Sequence, residues 1–429
     1  MKYLNIDNQL FINNRQKLKS RLAKNDLAIF NSNDIMPTNA DGTMPFRQNN
    51  DLFWLSGVDQ EESILIIYPD NSNEQEKEIL FLKETSELIA IWEGAKLSKS
   101  EAFATSGIKS VYWLNEFEGK LNSLMKKCDG VYLNENVHSR ATSEVETRDD
   151  RFRNMVTHKF SEKEIKQVAP IMHDLRSIKS ETEIALIQNA CNITESGFRR
   201  ILPFIKPGIM EYEIEAELIH EFLRNRSSGF AYAPILGAGR NSCVLHYGEN
   251  NNQCQDGNIL LMDFGAEYAN YASDMTRTVP VNGRFSERQK AVYNSVLHVM
   301  REATNMLRPG TVIDEYHKEV GKIMESELIT LGLLDRHDVK NQDPKKPLFR
   351  KYFMHGTSHY LGLDVHDVGD FSAPMQKGMV FTCEPGIYIL NEELGVRLEN
   401  DLLVTDDKAF DLMKNIPIEI EEIEDLMNA

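Results

Sequence analysis

The sequence predicts two domains, an α/β domain followed by one built from paired helices and strands. Three observations carry that prediction. At 429 residues the chain is too long for one ordinary core. Residues 1 to about 165 alternate short apolar runs with charged, helical stretches. Beyond residue 180 a helix–Pro-Gly–helix phrase occurs twice.

In the first part the apolar runs DLAIF, SILIIYP, EILFL and GVYL have the length and composition of buried strands. Stretches such as EGKLNSLMKKC between them read as helices, so a partly parallel sheet is expected. Phe160 to Ser180 is charged at first, then carries Pro170, and reads as the crossing between domains. The division expected is 1–172 and 173–429.

The second part opens on a capping box, Ser180 with Glu183, which starts a helix through IALIQNACNITESGFRRIL. Ser286 and Gln289 repeat the device and start a helix running to Leu307. The helices end in Lys206-Pro207-Gly208 and Arg308-Pro309-Gly310, and each phrase is followed by another helix, EYEIEAELIHEFL or DEYHKEVGKIMESEL. The Pro-Gly pairs lie 102 residues apart, a register that matches Glu217 and Leu218 to Glu319 and Val320. Two related halves facing each other would leave a cleft, a natural place for a site.

Bulk composition removes several classes of function. Hydrophobic residues at 41% and charged residues at 27% describe a globular protein. No apolar run is long enough to span a bilayer. The start, MKYLNIDNQLF, has no apolar signal core, so a cytoplasmic location is expected. A net charge of −18 argues against non-specific nucleic-acid binding. Cys128, Cys191, Cys243, Cys254 and Cys383 lack CxxC spacing and read as reduced thiols.

The chemistry is concentrated in the second part. Asp263 ends the otherwise apolar run NILLMDFG, where an unpaired buried carboxylate costs several kcal/mol. Asp274 follows in YASDMTRTVPV after a turn, so the two aspartates could face each other across a hairpin, although a pair of turn-forming or salt-bridged residues explains them as well. FMHGTSHYLGLDVHDVG holds His355, His359 and His366, three of only eleven histidines. Gly356 and Gly362 favour loop and strand over helix there, and three imidazoles together suit metal binding or acid–base work. Glu384 ends the apolar run MVFTC, and GVRLENDLLVT reads as a further strand with Arg397 and Glu399 on one face.

Singly, each of these has a bland explanation as strand-end punctuation or a polar pair. Together they place four carboxylates in apolar surroundings, and a core accepts that only if cations neutralise them. Two divalent ions would supply +4 against −4. A donor set rich in oxygen, with one imidazole and no thiolate, suits Mn²⁺.

The ordered set Asp263, Asp274, His359, Glu384, Glu399 resembles the five ligands of the pita-bread metallopeptidases. HGTSHYLGLDVHD is similar to the histidine signature of the proline-peptidase branch, and MPFRQNNDLFWLSG with IWEGAK resembles a creatinase-like N-terminal domain. The resemblance covers nearly the whole chain and points to the aminopeptidase P type. It implies an α/β N-terminal domain, an α+β pita-bread catalytic domain whose pseudo-twofold agrees with the Pro-Gly repeat, and two metal ions per subunit. It implies peptides with N-terminal Xaa-Pro as substrates, with no nucleic acid and no membrane involved.

Roles follow from the resemblance residue by residue. Asp263 would chelate one metal and help hold the substrate amine, Asp274 and Glu399 would bridge both metals, and His359 and Glu384 would bind the other. Glu384 would also take a proton from the attacking water. His246 in CVLHYGE resembles the proton-shuttling histidine. His366 would stabilise the oxyanion, and His355 would line the proline pocket. Arg397 would orient a bridging carboxylate, with Tyr232, Tyr388 and Asp41 in a hydrogen-bond network behind the site. Relatives of this kind form dimers or tetramers, in which a tryptophan like Trp92 would reach a neighbour's active site.

The apparatus suits proline. An Xaa-Pro bond is a tertiary amide whose leaving nitrogen must be protonated as it departs, and a histidine acid meets that need. A prolidase, cutting Xaa-Pro dipeptides, is the nearest alternative. An inactive peptide-binding module on the same fold is another.

Overall fold

The computed structural model describes residues 2–138, 140, 141 and 143–429. The chain divides into two compact units, one of Leu4–Leu175 and one carrying Arg176–Ala429.

Four of the six strands in the first unit are the apolar runs: β1 (Leu27–Asn31), β2 (Ile64–Ile67), β3 (Glu78–Leu82) and β5 (Gly130–Leu133). The others are β4 (Ser110–Trp113) and β6 (Glu164–Gln167), and the sheet order is β4-β3-β2-β1-β5-β6. The two strands outside those four runs are the two edges. An edge strand is covered by neighbours on fewer sides and can be polar, as EIKQ of β6 is. Residues 160–180, expected as a crossing, hold β6 and the whole of the helix Ala169–Ser177. Pairing is parallel for β3–β4, β1–β5 and β5–β6 and antiparallel for β1–β2 and β2–β3, a mixed sheet.

Helices α1 (Gln9–Lys19), α2 (Asn50–Ser56), α3 (Glu87–Glu93), α4 (Lys99–Ser106), α5 (Phe117–Met125) and α6 (Arg148–Lys159) surround this sheet in sequence, and α7 (Ala169–Ser177) follows it. One face buries Leu27, Ile29, Ile66, Phe81 and Val131 against Leu121, Leu124 and Met125 of α5 and Val156 of α6.

In the second unit the repeat has a structural counterpart. Helices α8 (Glu181–Ile201) and α9 (Glu211–Arg224) pack together, as do α10 (Glu287–Met306) and α11 (Ile313–Thr330). Ser180 and Ser286 form the expected capping boxes with Glu183 and Gln289. Gly208 and Gly310 both turn the chain with positive φ, +98° and +90°, a conformation that glycine adopts without a Cβ clash. Their N–H groups bond to Cys254 O and Met375 O, so each turn is tied to a distant segment. Leu218 and Val320, matched by the register, are both fully buried.

After the first helix pair come β7 (Ile235–Ala238), β8 (Ile259–Asp263), the short hairpin β9 (Glu267–Tyr268) and β10 (Tyr271–Ala272), and β11 (Thr276–Pro280). After the second pair come α12 (Arg336–Lys340), β12 (Val380–Cys383), β13 (Gly386–Ile389), β14 (Leu394–Arg397), β15 (Asn400–Val404), β16 (Ala409–Asp411) and α13 (Ile420–Met427). They form sheets β11-β8-β7 and β12-β15-β16 and the hairpin β13-β14. GVRLENDLLVT is thus two strands and not one, because the chain changes partner at Leu398–Glu399, from β13 to β12. Among the described residues no helix is long and apolar enough to cross a membrane.

Candidate metal centre

Antiparallel pairing sets Asp263, the last residue of β8, opposite Thr276 of β11, two positions beyond Asp274. Gly265 makes the close approach possible. A Cβ on it would sit 1.8 Å from Ser273 O, next to Asp274. Phe264 N donates to Met275 O at 3.0 Å and Ser273 N to Ala266 O at 3.1 Å, so the backbones stay paired past the named strands.

Across this hairpin the Tyr232 hydroxyl contacts Oδ1 of both Asp263 and Asp274. The Asp274 N–H donates to Asp401 at 3.0 Å, which fixes the backbone beside its carboxylate. Arg397, buried at the end of β14, donates Nη2 to Asp263, Nη1 to Tyr388 at 2.9 Å and Nε to Thr276 Oγ1 at 3.0 Å. Thr276 in turn donates to Glu399 at 2.7 Å. The arginine expected to orient a bridging carboxylate therefore touches Asp263 directly and Glu399 through a threonine hydroxyl.

The His355–Val368 segment is loop, with an isolated bridge from Tyr360 to Phe381. The Nδ1 of His359 bonds to Tyr360 O at 3.0 Å, and its Nε2 faces Asp274 at 3.4 Å and Glu384 at 3.6 Å. A carbonyl on one ring nitrogen is the usual way of holding the other towards a metal. The His366 ring stands edge-on to that of His359, 4.4 Å between centroids. Beside it, buried Asp367 is held by Arg176 and by Lys179 at 3.1 Å. The Nδ1 of His355 bonds to Gly356 O at 2.7 Å and its Nε2 to the Tyr388 hydroxyl at 2.8 Å. Its ring lies 4.9 Å from that of Phe353. His246 is exposed on the loop between β7 and β8. Asp41 and Trp92, both exposed, lie in the first unit, outside the unit that holds this cluster.

The electrostatics describe a site short of positive charge. Burial raises the Glu399 carboxyl well above its ordinary range, and the charges of Asp274, Glu384 and Asp263 add to that. Burial likewise raises Asp263, against the pull of Arg397, and lifts Glu384 to about 7. For His359 burial opposes protonation, but the bond to Asp274 and the charge of Glu384 outweigh it and leave the imidazole at about 9. His355 is pushed down to about 3 by burial and by the Arg397 charge, so it is neutral at physiological pH.

These residues fit divalent cations. Asp274, His359 and Glu399 offer ligand atoms all within 4.8 Å of one another, with Asp263 and Glu384 as their immediate neighbours. Arg397 makes an ion-pair contact with Asp263, His355 with Glu384, and His359 with Asp274 and Glu384. A cation would relieve the raised proton affinities by replacing protons.

Thr276 and Asp401 were not picked out from the sequence. Both were within reach of the alternation argument, since Thr276 lies two residues past Asp274 and Asp401 two past Glu399. Arg176 and Lys179 left no comparable signal, because their pairing with Asp367 spans almost 200 positions.

Residues 185–406 match metallopeptidase family M24, and residues 11–132 match the aminopeptidase P N-terminal domain. The Xaa-Pro aminopeptidase of Escherichia coli (strain K12) is 34% identical, with 99% of this chain and 98% of that protein aligned. A putative aminopeptidase P from Bacillus anthracis has a similar structure, at a TM-score of 0.91 and 32% identity over 99% of both chains. Zinc-substituted E. coli aminopeptidase P in complex with product follows at 0.88 and 33%, again over 99% of each chain.

Proposed function

Because the chain belongs to metallopeptidase family M24, with an aminopeptidase P N-terminal domain and full-length likeness to Xaa-Pro aminopeptidases, we propose that it removes the N-terminal residue from peptides whose second residue is proline, using two divalent ions, preferentially Mn²⁺. The observation that carries the reading is the convergence of four carboxylates and His359 around one buried locus.

In this reading Asp263, Asp274, His359, Glu384 and Glu399 hold the ions. Bound there, a divalent cation supplies Lewis acidity that makes water nucleophilic at neutral pH and polarises the scissile carbonyl. Asp263, tied to Arg397, also receives the substrate's α-amine. Glu384, beside His359 at the edge of the cluster, accepts a proton from the attacking water. His246 delivers a proton to the proline nitrogen, and its exposure leaves it open to substrate. His366, beside His359, donates to the developing oxyanion. Neutral His355, packed on Phe353 and bonded to Tyr388, offers proline an uncharged wall. Asp41 and Trp92 are assigned to substrate binding and Tyr232, Tyr388 and Arg397 to orienting the site.

The two compact units support domains at 1–172 and 173–429. Five free cysteines agree with a reducing compartment, which we take to be the cytoplasm. Leu88, Ile91 and Trp92 share one face of α3 and are 65%, 77% and 82% exposed. Such a face supports association of copies into a dimer or tetramer. A monomer mass from light scattering at working concentration would remove that association.

The activity test compares Ala-Pro, Ala-Pro-Ala, Ala-Pro-Ala-Ala and Ala-Ala-Ala after chelation and Mn²⁺ addition. The expected order of kcat/KM places the longer proline peptides above the dipeptide, since each added contact contributes ~1 kcal/mol, about fivefold. Cleavage confined to Ala-Pro would make the enzyme a prolidase. Equal cleavage of Ala-Ala-Ala would remove the proline preference.

A further inference from the structure

The His246 loop poses a structural question of its own. Twenty positions separate β7 from β8, and apart from one short helical turn at Gly239–Cys243 they carry no regular structure. A connection of that length holds a side chain in place only if it is pinned. The pins converge on one residue. Glu211, the first residue of α9, is fully buried. Its Oε1 accepts from Ala238 N–H at 2.8 Å, and its Oε2 accepts from Asn252 N–H and the Tyr247 hydroxyl, both at 2.9 Å. One carboxylate therefore clasps the strand end where the loop begins, the later loop residue Asn252 and the residue next to His246.

Tyr247 is the second half of the device. Its ring is buried with Ile235, Leu261 and Tyr388. His246, one residue before it, is exposed. The chain turns at Leu245–His246, so anchoring the Tyr247 ring inward fixes the backbone from which His246 projects. Tyr388 also bonds to His355 and Arg397, so the loop is packed against the same tyrosine that braces the site.

We propose that Glu211 is a positioning residue for proton transfer, setting His246 through Tyr247 and the backbone at Ala238 and Asn252. The proposal rests on the reading of His246 as the residue that protonates the proline nitrogen. The carboxylate is specifically required. Both oxygens face backbone N–H donors, so neither orientation of a glutamine amide satisfies both, and one NH₂ must oppose an N–H.

The test is a double-mutant cycle on Mn²⁺-loaded enzyme with Ala-Pro-Ala, reading kcat, KM, metal content and melting temperature. His246→Ala alone should lower kcat by ~10²-fold with metal retained. Glu211→Gln should lower kcat by about tenfold with KM changed less than about twofold, because a misplaced acid loses rate and not binding. In the His246→Ala background Glu211→Gln should change kcat by less than about twofold. If Glu211→Gln fails to fold, Tyr247→Phe, which removes one hydrogen bond and keeps the ring, takes its place with an expected loss of about threefold. Full additivity with His246→Ala, or a loss explained by metal content or KM, overturns the proposal. Wild-type kcat in His246→Ala itself overturns the reading of His246, visibly and without any change at Glu211.

Discussion

Tyr232 has one phenolic proton and contacts a carboxylate oxygen of each of two aspartates. Burial and the charges of Asp263 and Asp274 raise its pKa well above the ordinary value, so the proton stays on. It can satisfy one acceptor. The other contact is comfortable only when that carboxylate is itself protonated or bound to a cation. Tyr232 is thus an orienting group for both aspartates, and such groups are commonly worth 10- to 100-fold in metal affinity or activity. Tyr232→Phe should therefore weaken metal retention by about tenfold in a chelator competition, with folding intact. Unchanged retention would mean that Arg397 and Asp401 orient the aspartates without it. Tyr232 lies 31 residues before Asp263, in FAYAPIL, and only the family resemblance singled it out.

At the level of elements, the hairpin from β8 to β11 is the feature most sensitive to a single methyl group. Gly265 lies where a Cβ would meet Ser273 O at 1.8 Å, and backbone cannot move away as a flexible side chain can. Gly265→Ala should part Asp263 from Asp274, and the expected result is loss of bound metal by elemental analysis together with a lower melting temperature. A variant that keeps both would show that the hairpin slides without cost. Strands and helices that the sequence made readable are those in which one local rule decides. Buried strands such as β1 and β3 announce themselves by continuous apolar runs, and α8 and α10 by their capping boxes. Edge strand β6 does not, since EIKQ carries one apolar residue, and β4 is only four residues long. The break at Leu398–Glu399 was also hidden, because a change of strand partner leaves the alternation of side chains undisturbed. All five ligand candidates were legible as oddities, carboxylates and imidazoles in apolar company. The threonine relay from Arg397 to Glu399 depends on tertiary register and was not.

For the molecule as a whole, the buried carboxylates predict how stability varies with pH once metal is removed. Glu384 is lifted to about 7, so between its unfolded value of roughly 4.3 and 7 the folded state binds more protons than the unfolded one. His359, lifted to about 9, does the same from roughly 6.5 upward. Both signs agree. The chelated protein is stabilised at low pH and loses that stability as pH rises through 7 and then 9. Its melting temperature should fall between pH 5.5 and 8.5, and added Mn²⁺ should raise it far more at pH 8.5. A melting temperature for the chelated protein that rises over that interval would contradict the charge-deficient site.

The order of the cluster along the chain has a consequence for how the protein is made. Every proposed ligand lies beyond residue 260, and Glu399 comes last of the five. A ribosome adding ~5–20 residues per second completes Leu4–Leu175 well before Asp263 exists, and then needs on the order of ten seconds more to reach Glu399. Throughout that interval Asp263 is present without Arg397, and Asp274 without His359 until that residue is made. Choice of metal is thereby deferred until Glu399 is made, when the first unit has had time to fold and the last proposed ligand arrives together with the arginine that braces Asp263.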